Sequence, residues 1–141
     1  MTIPDWTSAW QATFDDLQRM RAAWPAHGWS WDARFSCCAS SFAGDQETAA
    51  RTAAALALPN EWTASTIGEA PRLLRDIAER TGGLRQGQLF LASSPLAGLT
   101  AYGLWWPWGG GKTVSLRVGL ADVDPRREPF LRFRELFGVT L

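Results

Sequence analysis

The sequence predicts an α+β fold: one domain over residues 1–141, in the order α-β-α-α-β-β-β-α, with an antiparallel sheet of about four strands covered by helices on one face. Three observations carry this. Val114, Leu116, Val118 and Leu120 alternate with Thr113, Ser115 and Arg117, the period-two pattern of a half-buried antiparallel strand. The run before it, Leu99 to Trp106, is apolar on both sides, which suits a central strand, and Pro107 with Gly109 to Gly111 forces a reversal between the two. Finally, stretches with apolar residues every three or four positions, each bounded by proline or glycine, read as helices on both sides of this hairpin in the chain.

In order, Pro4 to about Trp24 reads as an amphipathic helix, with Pro4 in the first turn and Asp5 favouring the positive end of the helix dipole. Trp6, Trp10, Phe14, Leu17, Met20 and Trp24 form one stripe, and so much aromatic area is expected to pack as core on the sheet. Pro25 and His27-Gly28 end the helix. Trp29, Trp31, Ala33, Phe35 and Cys37 then alternate with Ser30, Asp32, Arg34, Ser36 and Cys38, which predicts one strand with a wet face, followed by a loop from Ala39 to Asp45. Asp45 caps a second helix reaching about Leu58, stopped by Pro59, whose face Ala49, Ala50, Ala53, Ala54 and Ala57 permits close approach to a neighbour.

A third helix is expected to start near Glu69, with Leu73, Leu74, Ile77 and Ala78 inward and Gly82-Gly83 as its left-handed stop. Thr66 and Glu69 resemble a capping box, but that would place Pro71 inside the helix, where its ring clashes and its N–H is missing. Gln88 to Ser93 is a strand, Ser94 to Gly98 a turn, and the hairpin follows. Asp124-Pro125 opens the terminal helix, with Phe130, Phe133, Leu136 and Phe137 inward.

Composition narrows function. Fourteen basic and 14 acidic residues give a formal net charge of zero, so the chain carries no electrostatic footprint for nucleic acid or an anionic membrane. No run is apolar and long enough to span a bilayer, and the N-terminus lacks a basic region followed by an apolar one, so the expected location is cytoplasmic. The two cysteines are adjacent and make no disulfide framework.

The residue types that carry familiar chemistry are sparse. Gly109-Gly110-Gly111-Lys112-Thr113 suggests a phosphate loop, but the required first glycine falls at Trp106 and a strand follows where a helix is needed. His27, Cys37 and Cys38 supply three of four zinc ligands, two of them on opposite faces of a strand. Cys37 is therefore read as core, Cys38 as a small residue on the other face and His27 as a helix-terminal residue, while Asp122 and Asp124 are read as strand-end and cap residues. The consecutive Asp15 and Asp16 diverge around their helix and form no dyad. No catalytic residue, metal site or cofactor is predicted.

Tryptophan is the unusual feature, with nine in 141 residues and three at the hairpin apex. Trp105 and Trp106 must face opposite sides of the sheet, so one is expected in the core and the other, with Trp108, partly exposed beside Lys112 and Arg117. Exposed aromatics beside cationic side chains are the material of interface hot spots. The expectation is thus a protein-binding protein, an immunity protein or adaptor that engages a bacterial toxin or effector through Trp106, Trp108, Lys112 and Arg117. The alternative is a small-ligand domain with an aromatic pocket between sheet and helices, lined by Trp29, Trp31 and Tyr102.

Overall fold

The computed structural model describes residues 9–26 and 28–139; the expectations placed on Thr2 to Trp6 and on His27 lie outside the described residues. The order of elements is α1 (Gln11–Ala23), β1 (Ser30–Asp32), β2 (Cys37–Ala43), α2 (Glu47–Ala57), β3 (Asn60–Trp62), α3 (Arg72–Arg80), β4 (Leu89–Ala92), β5 (Ala101–Trp108), β6 (Thr113–Leu120) and α4 (Phe130–Leu136). The class is α+β as predicted, but the sheet has six antiparallel strands, ordered β1-β2-β6-β5-β4-β3, where about four were expected.

The extra strands have identifiable causes. The alternating run from Trp29 to Cys38 is two strands: the Asp32 carboxylate accepts the Arg34 backbone N–H at 3.0 Å and Ser36 adopts φ 54°, turning the chain back within the run. Trp31 then pairs with Cys38, and β2 continues through the expected loop to Ala43, held by six register pairs with β6. The other addition, β3, pairs with β4 over three residues, too few to print a periodicity.

Helices cover both faces, which corrects the one-face expectation. On the first face, Phe14, Leu17 and Met20 of α1, Ala50, Ala53, Ala54 and Ala57 of α2, and Phe130 and Phe133 of α4 bury Leu91, Trp105, Val114, Leu116 and Val118. Thus the aromatic stripe of α1 is core over its described length; Ala49, however, points to solvent. Trp24, just past α1, donates its indole N–H to the buried Ser40 hydroxyl at 2.9 Å and meets Phe42 edge-on. Gly103 leaves the first face open for Leu58, whose Cδ1 would lie 2.8 Å from an added Cβ.

Among the described residues, α3 is the helix that covers the second face, through Leu74, Ile77 and Ala78 against Phe90, Tyr102 and Leu104. A helix there follows from β5, whose two sides are both apolar and both need covering. It begins at Arg72 with Pro71 as its cap, after a 3-10 turn over Ile67–Glu69. Thr66 accepts the Thr63 N–H instead of capping, and Leu73 is exposed. Asp124-Pro125 likewise opens a turn, with Asp124 accepting the Arg126 N–H; α4 starts only at Phe130, after the cis Glu128–Pro129 bond.

Candidate functional site

Because α3 is short and sits over β3, β4 and part of β5, no helix among the described residues lies above the half of the second face made by β1, β2, β6 and the end of β5. The registers place three rows of side chains across it. Ala43, Thr113 and Trp108 form one, Ser41, Ser115 and Trp106 the next, and Ser30, Ala39, Arg117 and Leu104 the third. In these rows the residues on β1 and β2 are all small, so the strands there form a shelf with Trp108 and Arg117 at its margin and Asp32 at its end.

Trp105 enters the first-face core at 1% exposure, and Trp106 is also buried, at 7%. This corrects the expected exposure of Trp106: in place of a helix, side chains cover it. The Arg117 guanidinium lies 4.7 Å from its ring centroid, Phe35 meets it edge-on at 5.8 Å and Trp108 at 6.3 Å.

Arg117 is fixed in turn, donating from Nε to Asp32 Oδ2 at 2.7 Å and from Nη1 to Ser115 Oγ at 2.9 Å. Burial pushes the Asp32 carboxyl up, but the hydrogen bond and charge of Arg117, with the amides of Arg34 and Phe35, outweigh it and hold the group below its ordinary value. Trp108 donates its indole N–H to the same Ser115 oxygen at 3.0 Å while 52% exposed. Its ring is therefore both presented and oriented.

Of the four residues singled out in the sequence, Trp106, Trp108 and Arg117 converge on Ser115. Lys112 stands apart in the apex, exposed and without an ion-pair partner among the described residues. The apex itself is tied down where the Gly44 N–H reaches the Lys112 carbonyl at 2.8 Å. Sequence reasoning missed Asp32, Ser115 and Phe35. Asp32 and Arg117 are 85 residues apart, and only the β1-β2-β6 order brings them together.

The thiols lie on opposite faces, but the expected assignment is corrected: Cys38, read as a small residue on the wet face, is buried in the first-face core with Trp31, and Cys37 is buried on the second face. Cys37 Sγ lies 3.5 Å from the Phe35 carbonyl and 3.4 Å from Tyr102 Oη. Burial pushes the Cys37 thiol up to about 11 and the Cys38 thiol up to about 12, so both stay protonated at neutral pH. Among the described residues no three His, Cys, Asp or Glu side chains gather as a metal site, and no helix is long and apolar enough to cross a membrane.

Trp29, Trp31 and Tyr102 do not share a pocket. Trp29 packs on Phe137 and Trp31 on Phe130 at the first face, whereas Tyr102 belongs to the second. The turn after Asp32 is the reason, because it reverses the side of the sheet on which Trp31 lies relative to Phe35. Tyr102 instead floors a cavity of about 620 Å³ between the end of α3, the β1–β2 turn and the chain after β6, lined chiefly by polar and charged groups such as Arg34, Arg80 and Asp122. No protein-family model, no curated protein and no solved structure matches this chain.

Proposed function

We propose that the chain is a protein-binding module, an immunity protein or adaptor in kind, that seats a toxin or effector on the helix-free shelf of its second face. The observation that carries this reading is Trp108, a large apolar ring half exposed at the shelf margin and held in one orientation by Ser115. A ring already oriented loses little freedom on binding, so the area it buries converts more fully into affinity. The small side chains of Ser30, Ala39, Ser41 and Ala43 leave the strands beside it open to a partner's surface. Lys112, exposed and unpaired at the adjacent apex, supplies the charge complement, and the partner is accordingly a protein with an acidic rim around its contact patch.

The test is to co-purify the chain with the product of the gene beside its own and measure affinity by calorimetry. Trp108→Ala is expected to weaken binding at least about thirtyfold, as truncation of a hot-spot tryptophan by about 2–4 kcal/mol requires, with little change in melting temperature. Lys112→Ala lowers the association rate modestly, more at low salt than at high salt. Unchanged affinity in Trp108→Ala overturns the reading. Trp106→Ala is unsuitable as the primary variant because that ring is part of the fold.

A further inference from the structure

Beside the shelf, a cavity opens that shares neither Trp108 nor Lys112 with it. The 620 Å³ cavity at the end of α3 falls in the range of small-molecule sites. Its floor is apolar, from Ile77 and the ring of Tyr102, while its walls carry charges of both signs. Arg34 and Arg80 have no carboxylate partner among the described residues, and Arg34 is steadied by lying 4.2 Å above the Phe35 ring. Asp122 is equally unpaired, whereas Asp124 is engaged by Arg126. Asp122 also borders an adjoining hollow with Asp76, Glu79 and Arg80, so carboxylates outnumber cations on that side.

Two further features mark the place as built. Ser36 and Asp122 both line it and both hold left-handed backbone, at φ 54° and 55°, a conformation that costs non-glycine residues energy and concentrates at ligand sites. The Tyr102 hydroxyl is buried with a thiol as its neighbour at 3.4 Å, a weak acceptor for a strong donor. Gly119 keeps the ring in place, since a Cβ there would lie 2.7 Å from Tyr102 Oη.

A ligand with one charge would leave part of this lining opposed or unpaired. We infer that the cavity binds a small zwitterion, an α-amino acid with an apolar side chain: its carboxylate meets Arg34 and Arg80, its ammonium meets Asp122, and its side chain lies on Ile77 and the Tyr102 ring. Arg and carboxylate suit one another through bidentate hydrogen bonds, and the ammonium takes Asp122, the lining carboxylate without an ion-pair partner among the described residues.

The test is calorimetric titration of the full chain with L-phenylalanine and L-leucine, each beside the analogue lacking its amine and the analogue lacking its carboxylate. For phenylalanine these are 3-phenylpropionate and 2-phenylethylamine. At least one amino acid is expected to bind saturably, and about tenfold or more tighter than either of its single-charge analogues, the worth of one charged hydrogen-bonding group. Arg34→Gln and Arg80→Gln weaken the amino acid and its carboxylate analogue alike. Asp122→Asn brings the amino acid down to the level of the carboxylate analogue, and it is a safe change because the site is exposed and asparagine tolerates left-handed backbone. Equal affinity for the amino acid and the carboxylate, indifference to these substitutions, or no saturable binding of either amino acid overturns the proposal. Trp108→Ala leaves this binding unchanged, so the two sites are read separately.

Discussion

Trp105 and Trp106 are neighbours on β5, both below 10% exposure, and they are buried by different means. Trp105 sits at 1% under α1 and α2, against Phe42 and the aliphatic side chains of β6, and burial of apolar area is its main stabilisation. Trp106, at 7%, is roofed by Arg117, Phe35 and Trp108, a lid of single side chains that depends on one ion pair and one serine. A sheet face can therefore be closed by a helix, which seals it against partners, or by a latch of polar and aromatic side chains, which leaves a surface another protein can use.

The sharpest way to break this contrast is to remove each ring. Trp105→Ala and Phe14→Ala are expected to cost about 3–5 kcal/mol, a large share of a typical total stability, as read by urea denaturation. Trp106→Ala should cost less, at about 2–3 kcal/mol, because Arg117 and Phe35 are free to settle into the space a helix could not fill. Equal losses at the two positions would mean that the latch is as rigid as the helical cover.

The sequence shows the first kind of burial well and the second poorly. Helical and strand periodicities depend on contacts to one bulk core, so the stripe of α1 and the β5–β6 hairpin are legible residue by residue. The β1–β2 turn is not, because Trp29 to Cys38 alternates straight through it: the pattern puts Trp31 and Cys37 on one side, whereas the turn pairs Trp31 with Cys38 and sends Phe35 and Cys37 to the other face. Of the site, the period-two rule sets Trp105 and Trp106 on opposite sides of β5 and Arg117 on the wet side of β6, but the register that joins them comes from the sheet, and the cover that the two apolar sides of β5 need on both faces was expected on one. Asp32 and Ser115 join the cover of Trp106 only through the strand order, and the sequence overstates the exposure of Trp106 because its cover comes from isolated side chains that leave no periodic trace.

Acid should release the latch before it touches the helical cover. The Asp32 carboxyl is lower in the folded chain than in the unfolded one, so the unfolded state takes up its proton first as pH falls. Its contribution is fully present above the unfolded value of about 3.9 and is lost as pH drops through the folded value below that. Asp32→Asn is expected to cost about 1–3 kcal/mol at pH 7 and to remove this part of the acid dependence, measured as stability at pH 7 against pH 3. If wild type and variant lose stability in parallel between those pH values, the Arg117–Asp32 pair contributes nothing to the cover of Trp106.

The smallest expected effect is the most informative about the shelf. Trp108→Phe keeps an aromatic ring of similar placement but removes the indole N–H that reaches Ser115 at 3.0 Å. With the ring 52% exposed, the net value of that bond to the fold is at most about 1 kcal/mol, and the thermal midpoint should hardly move. Orientation is what changes: the phenyl ring is free to rotate about its side-chain torsions, and ordering it on binding then costs about 0.5–1.5 kcal/mol that the native indole does not lose. Affinity for the partner should accordingly fall by a few-fold, well short of the loss in Trp108→Ala, and Ser115→Ala should reproduce the same small loss with the indole intact. Should Ser115→Ala leave affinity untouched while Trp108→Ala removes it, the ring binds through its area alone, and the hydrogen bond serves only to close the latch over Trp106.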